Sequence, residues 1–139
     1  MKIITNFVSV VHSAFNFDYD KEGKLFTTEP KLVALVDVAD REGDSALEYV
    51  FCVTQNIEGS WSQGEELEPY GDQNPDYNSA ITVVEPLPKD NGRTYGHRST
   101  SVGDRLVFNG TIYRVASSGF EIVKDFVEND ERKVRALSS

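Results

Sequence analysis

Apolar and polar positions follow two different periods along the chain, and the changes of period divide it into strands and one helix. Ile3 to Val11 is apolar and β-branched, and Phe15 to Tyr19 alternates aromatic with polar residues, so both predict strands, with a break near His12 and Ser13. Asp20 to Lys24 has turn composition, and Lys24 to Thr28 is the expected return arm. Lys31 to Val38 predicts a further strand, whose apolar run Leu32 to Val36 is dense enough for the centre of a sheet. Leu47, Val50, Phe51, Thr54 and Ile57 then recur at helical spacing. Ser45 with Glu48 three residues later has the form of a capping box, Asp44 adds negative charge at the positive end of the helix dipole, and Gly59 is the expected stop, giving a helix over about 44–58.

The second half returns to strand patterning. Ala80 to Val84 predicts a strand ended by Pro86 and Pro88, and Lys89 to Gly92 a turn. Arg105 to Phe108 and Thr111 to Ala116 are β-prone runs separated by Asn109-Gly110, two residues that tolerate positive φ and suit a type I′ turn. The expectation is an α+β domain over residues 1–123: a small, mostly antiparallel sheet, one main helix and a C-terminal hairpin at 105–116. Residues 124–139 carry charges of both signs, with Phe126, Val127, Val134 and Leu137 to bury, and predict a short helix or a tail. Glu58 to Ser79 reads as a long polar loop rich in Gly and Pro; loops of that length in small domains are often functional. Trp61 and Tyr70 are its candidate contact residues, the alternative for Trp61 being to fold back over the helix end.

Ser99-Thr-Ser-Val-Gly-Asp104, followed by a hairpin containing Tyr113 and then Ser118-Gly-Phe-Glu121, resembles the closing module of small bacteriophage and mobile-element proteins and is similar to the YodL-like domain pattern. Upstream, Thr54-Gln55-Asn56-Ile57 and Trp61 resemble a Thr-x-Asn-Ile and Trp pairing that precedes that module in the phage proteins. The likeness spans residues 46–123 at most. It implies a context, a bacterial cytoplasm under phage or mobile-element control, and brings no settled activity with it.

Length and charge narrow the role further. A chain of 139 residues fits one domain that buries roughly two thirds of its unfolded surface, so no cofactor is expected for stability. The single cysteine, Cys52, excludes an intramolecular disulfide and a cysteine zinc cluster and is expected to pack in the helix. The apolar N-terminal run is too short for a signal peptide, and no run of about 20 apolar residues exists for a membrane span. The net charge of −9 is uneven: Asn16 to Asp76 holds 15 acids against 4 bases, Tyr77 to Lys124 only 4 acids against 6 bases. Nonspecific binding to nucleic acid or to an anionic membrane draws on clustered Lys and Arg and is disfavoured; a basic protein partner fits the acidic half instead, the alternative being carboxylates that only keep a small protein soluble, and self-association stays open.

Two constellations invite chemistry. Asp18, Asp20, Glu22 and Glu29 have the spacing of a calcium loop with Gly23 at its sixth position, but strand-like flanks and Pro30 favour a charged hairpin. Tyr95, His97, Arg98, Ser99 and Thr100, near Arg93, Arg105 and Arg114, could line a site for an anion such as a nucleotide. No nucleophile with a supporting base is evident, so no catalytic residue and no metal site is assigned. Two functions are therefore expected: a non-enzymatic accessory protein that inhibits a host protein through Trp61, Glu65, Glu66, Glu68, Tyr70 and Asp72, or a small-ligand module built on 95–100.

Overall fold

In the computed structural model, which describes residues 6–13, 17–27, 29–67 and 70–123, the strands are β1 (Phe7–His12), β2 (Phe17–Tyr19), β3 (Leu25–Thr27), β4 (Lys31–Asp37), β5 (Glu66–Leu67), β6 (Asp72–Gln73), β7 (Ile81–Val83), β8 (Lys89–Asp90), β9 (Arg93–Thr94), β10 (Arg105–Phe108), β11 (Thr111–Val115) and β12 (Phe120–Ile122). The helix is α1 (Gly43–Val53). Six strands form one antiparallel sheet in the order β12-β11-β10-β1-β4-β7, and β2-β3, β5-β6 and β8-β9 are separate two-stranded ribbons. The expected α+β class, with one helix against a mostly antiparallel sheet, is the one observed.

Alternation along the strands builds the core. Val8, Val10, Ala34, Val36, Leu106 and Phe108 pack in one cluster with Ala46, Leu47 and Val50 of α1. Val11 and Ile112 form a second cluster with Leu32, Val107 and Val123. The β1-β4 register slips at Val10/Val11: Val10 faces Ala34 and Val11 faces Leu32, leaving Val33 as the extra residue of a bulge. Val33 and Ala34 are thus both in the helix-side cluster, which is why Leu32 to Val36 reads as nearly continuous rather than alternating.

The hairpin forms as predicted. Asn109 and Gly110 take φ of 51° and 77°, the positive values of a type I′ turn, and Phe108 pairs with Thr111. Asn91 and Gly92 repeat the device between β8 and β9, at φ of 52° and 74°.

The helix differs from its prediction at both ends. Glu42, not Ser45, is at the N-cap and makes no side-chain capping bond; the chain enters through Gly43 at φ 54°, and Ser45 is exposed within the first turn. The Ser45/Glu48 spacing therefore mimics a capping box one turn too late. The C-terminal end is Val53 rather than about 58, and Ile57, expected on the helix face, is 76% exposed. Thr54 Oγ1 donates back to the Val50 carbonyl (2.8 Å), and Thr54 O accepts the Thr100 N–H (3.0 Å), so a tertiary contact and not Gly59 ends the helix. Cys52 is exposed, against the expectation that it packs. The predicted tail at 124–139 lies outside the described residues.

Candidate functional site

The two segments that carry the resemblance are docked on each other. Beyond the Thr54–Thr100 bond, Gln55 Nε2 donates to Thr100 O (2.8 Å), Asn56 Nδ2 donates to His97 O (3.0 Å), and the Asn56 N–H donates to Ser99 Oγ (2.8 Å). Trp61 Nε1 donates to Arg98 O (2.8 Å), and the Trp61 N–H to Asn56 Oδ1 (2.9 Å). Residues 54–61 are in effect a cradle for 97–100, whose backbone has no sheet partner and, apart from the Thr54–Thr100 bond, takes side-chain partners instead. Gly96 completes the fit: a Cβ there would collide with Ser60 Oγ and press on Ser62 Oγ at 3.0 Å.

A buried carboxylate holds the other side of this segment. Asp104 is fully buried and accepts from Arg98 Nη1 (2.7 Å) and Nη2 (2.8 Å) and from the N–H groups of Ser13 (2.9 Å) and Ser101 (2.8 Å). It ties β1, the 98–101 segment and the start of β10 together. Each of the residues 97–100 expected to line an anion site is thus engaged internally: His97 Nε2 meets Glu85 O (2.9 Å), Ser99 and Thr100 serve the cradle, and the Arg98 fork already grips a carboxylate. Tyr95 is half exposed and lies under the Arg93 guanidinium, 5.3 Å from it.

His12 completes the cluster. Its Nε2 hydrogen-bonds Thr100 Oγ1 (3.2 Å), and its ring meets Trp61 edge-on at a 6.1 Å centroid distance, with the His97 ring 6.2 Å from the same indole. Burial pushes His12 down from 6.5 to about 4; Asp104, 4.0 Å away, opposes this, while Arg98 and His97 reinforce it. The ring is neutral at pH 7, so the contact with Asp104 is no ion pair there. Because the unfolded chain takes up a proton near 6.5 that the folded state refuses until about 4, stability falls as pH drops through that window. From pH 7 to pH 5 the loss from this group should be about 2 kcal/mol. Urea denaturation of wild type and His12→Gln at the two pH values checks it, and equal losses in both proteins would show that His12 is not the source.

The long loop is braced rather than loose. Asp76 Oδ2 accepts three successive N–H groups, of Ile57 (2.7 Å), Glu58 (3.1 Å) and Gly59 (2.8 Å). Buried Asn74 accepts the Ser60 N–H through Oδ1 (3.0 Å) and donates through Nδ2 to Ser60 O (2.7 Å) and Gly64 O (2.8 Å). On this base the β5-β6 ribbon stands out as a finger, Glu66 paired with Gln73 and Leu67 with Asp72. Glu65, Glu66 and Asp72 are exposed on it, and Tyr70 is 86% exposed at its tip. A cleft of about 500 Å³ at its foot is lined by Glu65, Glu66, Gly71, Gln73, Asn74, Pro75 and Tyr77.

The structure thus brings Glu65, Glu66, Tyr70 and Asp72 together on one feature, while Glu68 lies outside the described residues. Trp61 is a correction: at 1% exposure its indole is core and is not available to a partner, as the fold-back alternative had it. Sequence reasoning missed Asn56, Asn74, Asp76 and Asp104 as braces; the available signal was Asn or Asp in strandless stretches, where such side chains commonly bond backbone. At the β2-β3 turn, Asp20 Oδ1 accepts the N–H groups of Glu22 (2.9 Å) and Lys24 (2.8 Å), consistent with a charged hairpin, and no group of three or more candidate metal ligands occurs among the described residues. No described helix is long and apolar enough to cross a membrane. Comparison of the chain with models of protein families, with curated proteins and with solved structures finds no match.

Proposed function

We propose that this protein is a non-enzymatic accessory protein of the phage or mobile-element type, which binds a host protein with a basic surface and blocks it stoichiometrically. The observation that carries the reading is the finger: three exposed carboxylates and an exposed tyrosine on a ribbon fixed at its base by Asn74 and Asp76. A preformed ribbon loses little conformational freedom on binding, and a Tyr at its tip supplies contact area with few rotatable bonds. The uneven charge of the chain supports the same reading. The alternative of an anion-binding module at 95–100 is the weaker one, because Asp104 already occupies the Arg98 guanidinium.

Replacing Glu65, Glu66 and Glu68 together with Gln should weaken capture of the partner from a bacterial lysate on the immobilised chain without lowering the denaturation midpoint. Capture by the wild type should fall as ionic strength rises, since exposed charges are screened over about 10 Å at 0.1 M salt. Capture indifferent to both salt and the triple substitution would remove the finger as the contact surface. Turnover of a substrate at catalytic protein concentrations would place the protein in another class.

A further inference from the structure

The two edges of the main sheet are not equivalent. At one, β7 runs on toward Pro86 and Pro88, residues of the kind that discourage further strand pairing. At the other, β12 holds no proline, and only its three-residue length and Glu121 guard it. The Val123 N–H donates to Ile112 O (2.9 Å) and the Ala116 N–H to Gly119 O (3.0 Å), which makes 112/123 and 116/119 hydrogen-bonded pairs of the β11-β12 ladder, and 114/121 with them. The N–H and C=O groups of the residues between, Phe120 and Ile122, therefore point away from β11, and nothing among the described residues pairs with them.

Beside this edge lies an apolar groove of about 360 Å³ between α1 and the β11-β12 turn, walled by Phe51, Cys52, Val102, Val115, Ala116 and Phe120. Val102 and Ile122 are 52% and 53% exposed. On an added strand, residues opposite Phe120 and Ile122 share their face of the sheet, the side on which Phe120 packs against the helix-side core. Every second side chain of an incoming segment would thus be directed toward the groove. Glu48 stands in the groove wall and Glu121 on the strand itself, the latter paired with Arg114 (2.9 Å).

We infer that β12 and this groove accept an extended segment of a partner protein by strand addition, its alternate apolar side chains entering the groove and a Lys or Arg beside them meeting Glu48. Main-chain bonds to Phe120 and Ile122 supply affinity, and the groove supplies selectivity. A second copy of this chain is the poorer occupant, because two chains of net charge −9 would meet with Glu48 in each groove and no basic side chain in either groove wall. The finger takes no part, so failure here leaves the reading of the finger untouched.

The test uses the full chain and a fluorescein-labelled heptapeptide, Lys-Val-Thr-Leu-Thr-Val-Lys, followed by fluorescence anisotropy. Saturable binding is expected, with shifts of the Phe120 and Ile122 amide resonances in nitrogen-15 spectra. Ile122→Pro removes an outward N–H while leaving the inward ladder bonds of residues 121 and 123, and should weaken binding about tenfold, the worth of one such bond. Val102→Glu should weaken it by lining the groove with charge, and exchanging both peptide lysines for glutamate should do the same. Absence of binding, or binding equal in wild type, Ile122→Pro and Val102→Glu, overturns the proposal. So does a concentration-dependent dimer in sedimentation that Ile122→Pro abolishes, since it makes a second copy the occupant.

Discussion

Asp104→Ala should cost about 3 kcal/mol of stability, the low end for breaking a buried ion pair, because the carboxylate is fully buried while Arg98, 34% exposed, can turn partly to water. The substitution takes both carboxylate oxygens from the Arg98 fork, which keeps the Ser99 carbonyl among its acceptors, and removes the acceptor of the Ser13 and Ser101 N–H groups at the junction of β1, the 98–101 segment and β10. Asp104→Asn keeps the shape but turns an amide N–H toward a guanidinium that can only donate, so it should recover less than half of the loss. The Arg98→Leu/Asp104→Leu double variant should be more stable than Asp104→Ala, because it leaves no unpaired charge behind. Urea denaturation midpoints decide the matter. A loss below about 1 kcal/mol for Asp104→Ala would mean that water replaces the carboxylate without strain and that the junction is held elsewhere.

Trp61→Ala should be comparably severe, at about 3–5 kcal/mol, since it empties the volume of a large buried ring and leaves the Arg98 carbonyl without its indole donor. Trp61→Phe separates the two contributions: it keeps an aromatic ring in the core and removes the N–H, so about 1–2 kcal/mol is expected. Trp61 is the only tryptophan, and its fluorescence reports the same site, with a red shift on unfolding as the ring passes from core to water. A wild-type spectrum already at the emission maximum of free tryptophan in water would show that the ring is solvated and defeat the core assignment.

What could be read from the chain and what could not follow a physical division. The 105–116 hairpin was legible because Asn109-Gly110 fixes its turn locally and the alternation on either side fixes its register. The existence of α1 was legible from spacing, but its ends were not. The start depends on a left-handed Gly43 that no capping pattern announces, and the stop depends on Thr100, far along the chain. The same limit applies to the site. Exposed carboxylates in a polar loop can be picked out from composition, whereas the assignment of Trp61 and of residues 97–100 turns on partners that only the fold brings near. Arg98 looked like an open anion receptor because Asp104, six residues on, is not visibly aimed at it in the sequence. The exposure of Cys52 is not legible for a related reason: helical spacing gives a face, and the width of that face depends on what packs against it.

The place of β1 in the sheet has a bearing on how the chain is made. Its neighbours are β4 and β10, so one flank is completed early and the other only when Arg105 to Phe108 have been synthesised. While the intervening residues are being added, at about 5–20 per second, a valine-rich strand waits on the ribosome with one side unpaired. For a few seconds the nascent chain therefore presents a template for misassociation that the finished protein conceals. Synthesis of the second half, rather than collapse of the first, is the event that closes the sheet, and folding of this protein waits on the translation of β10.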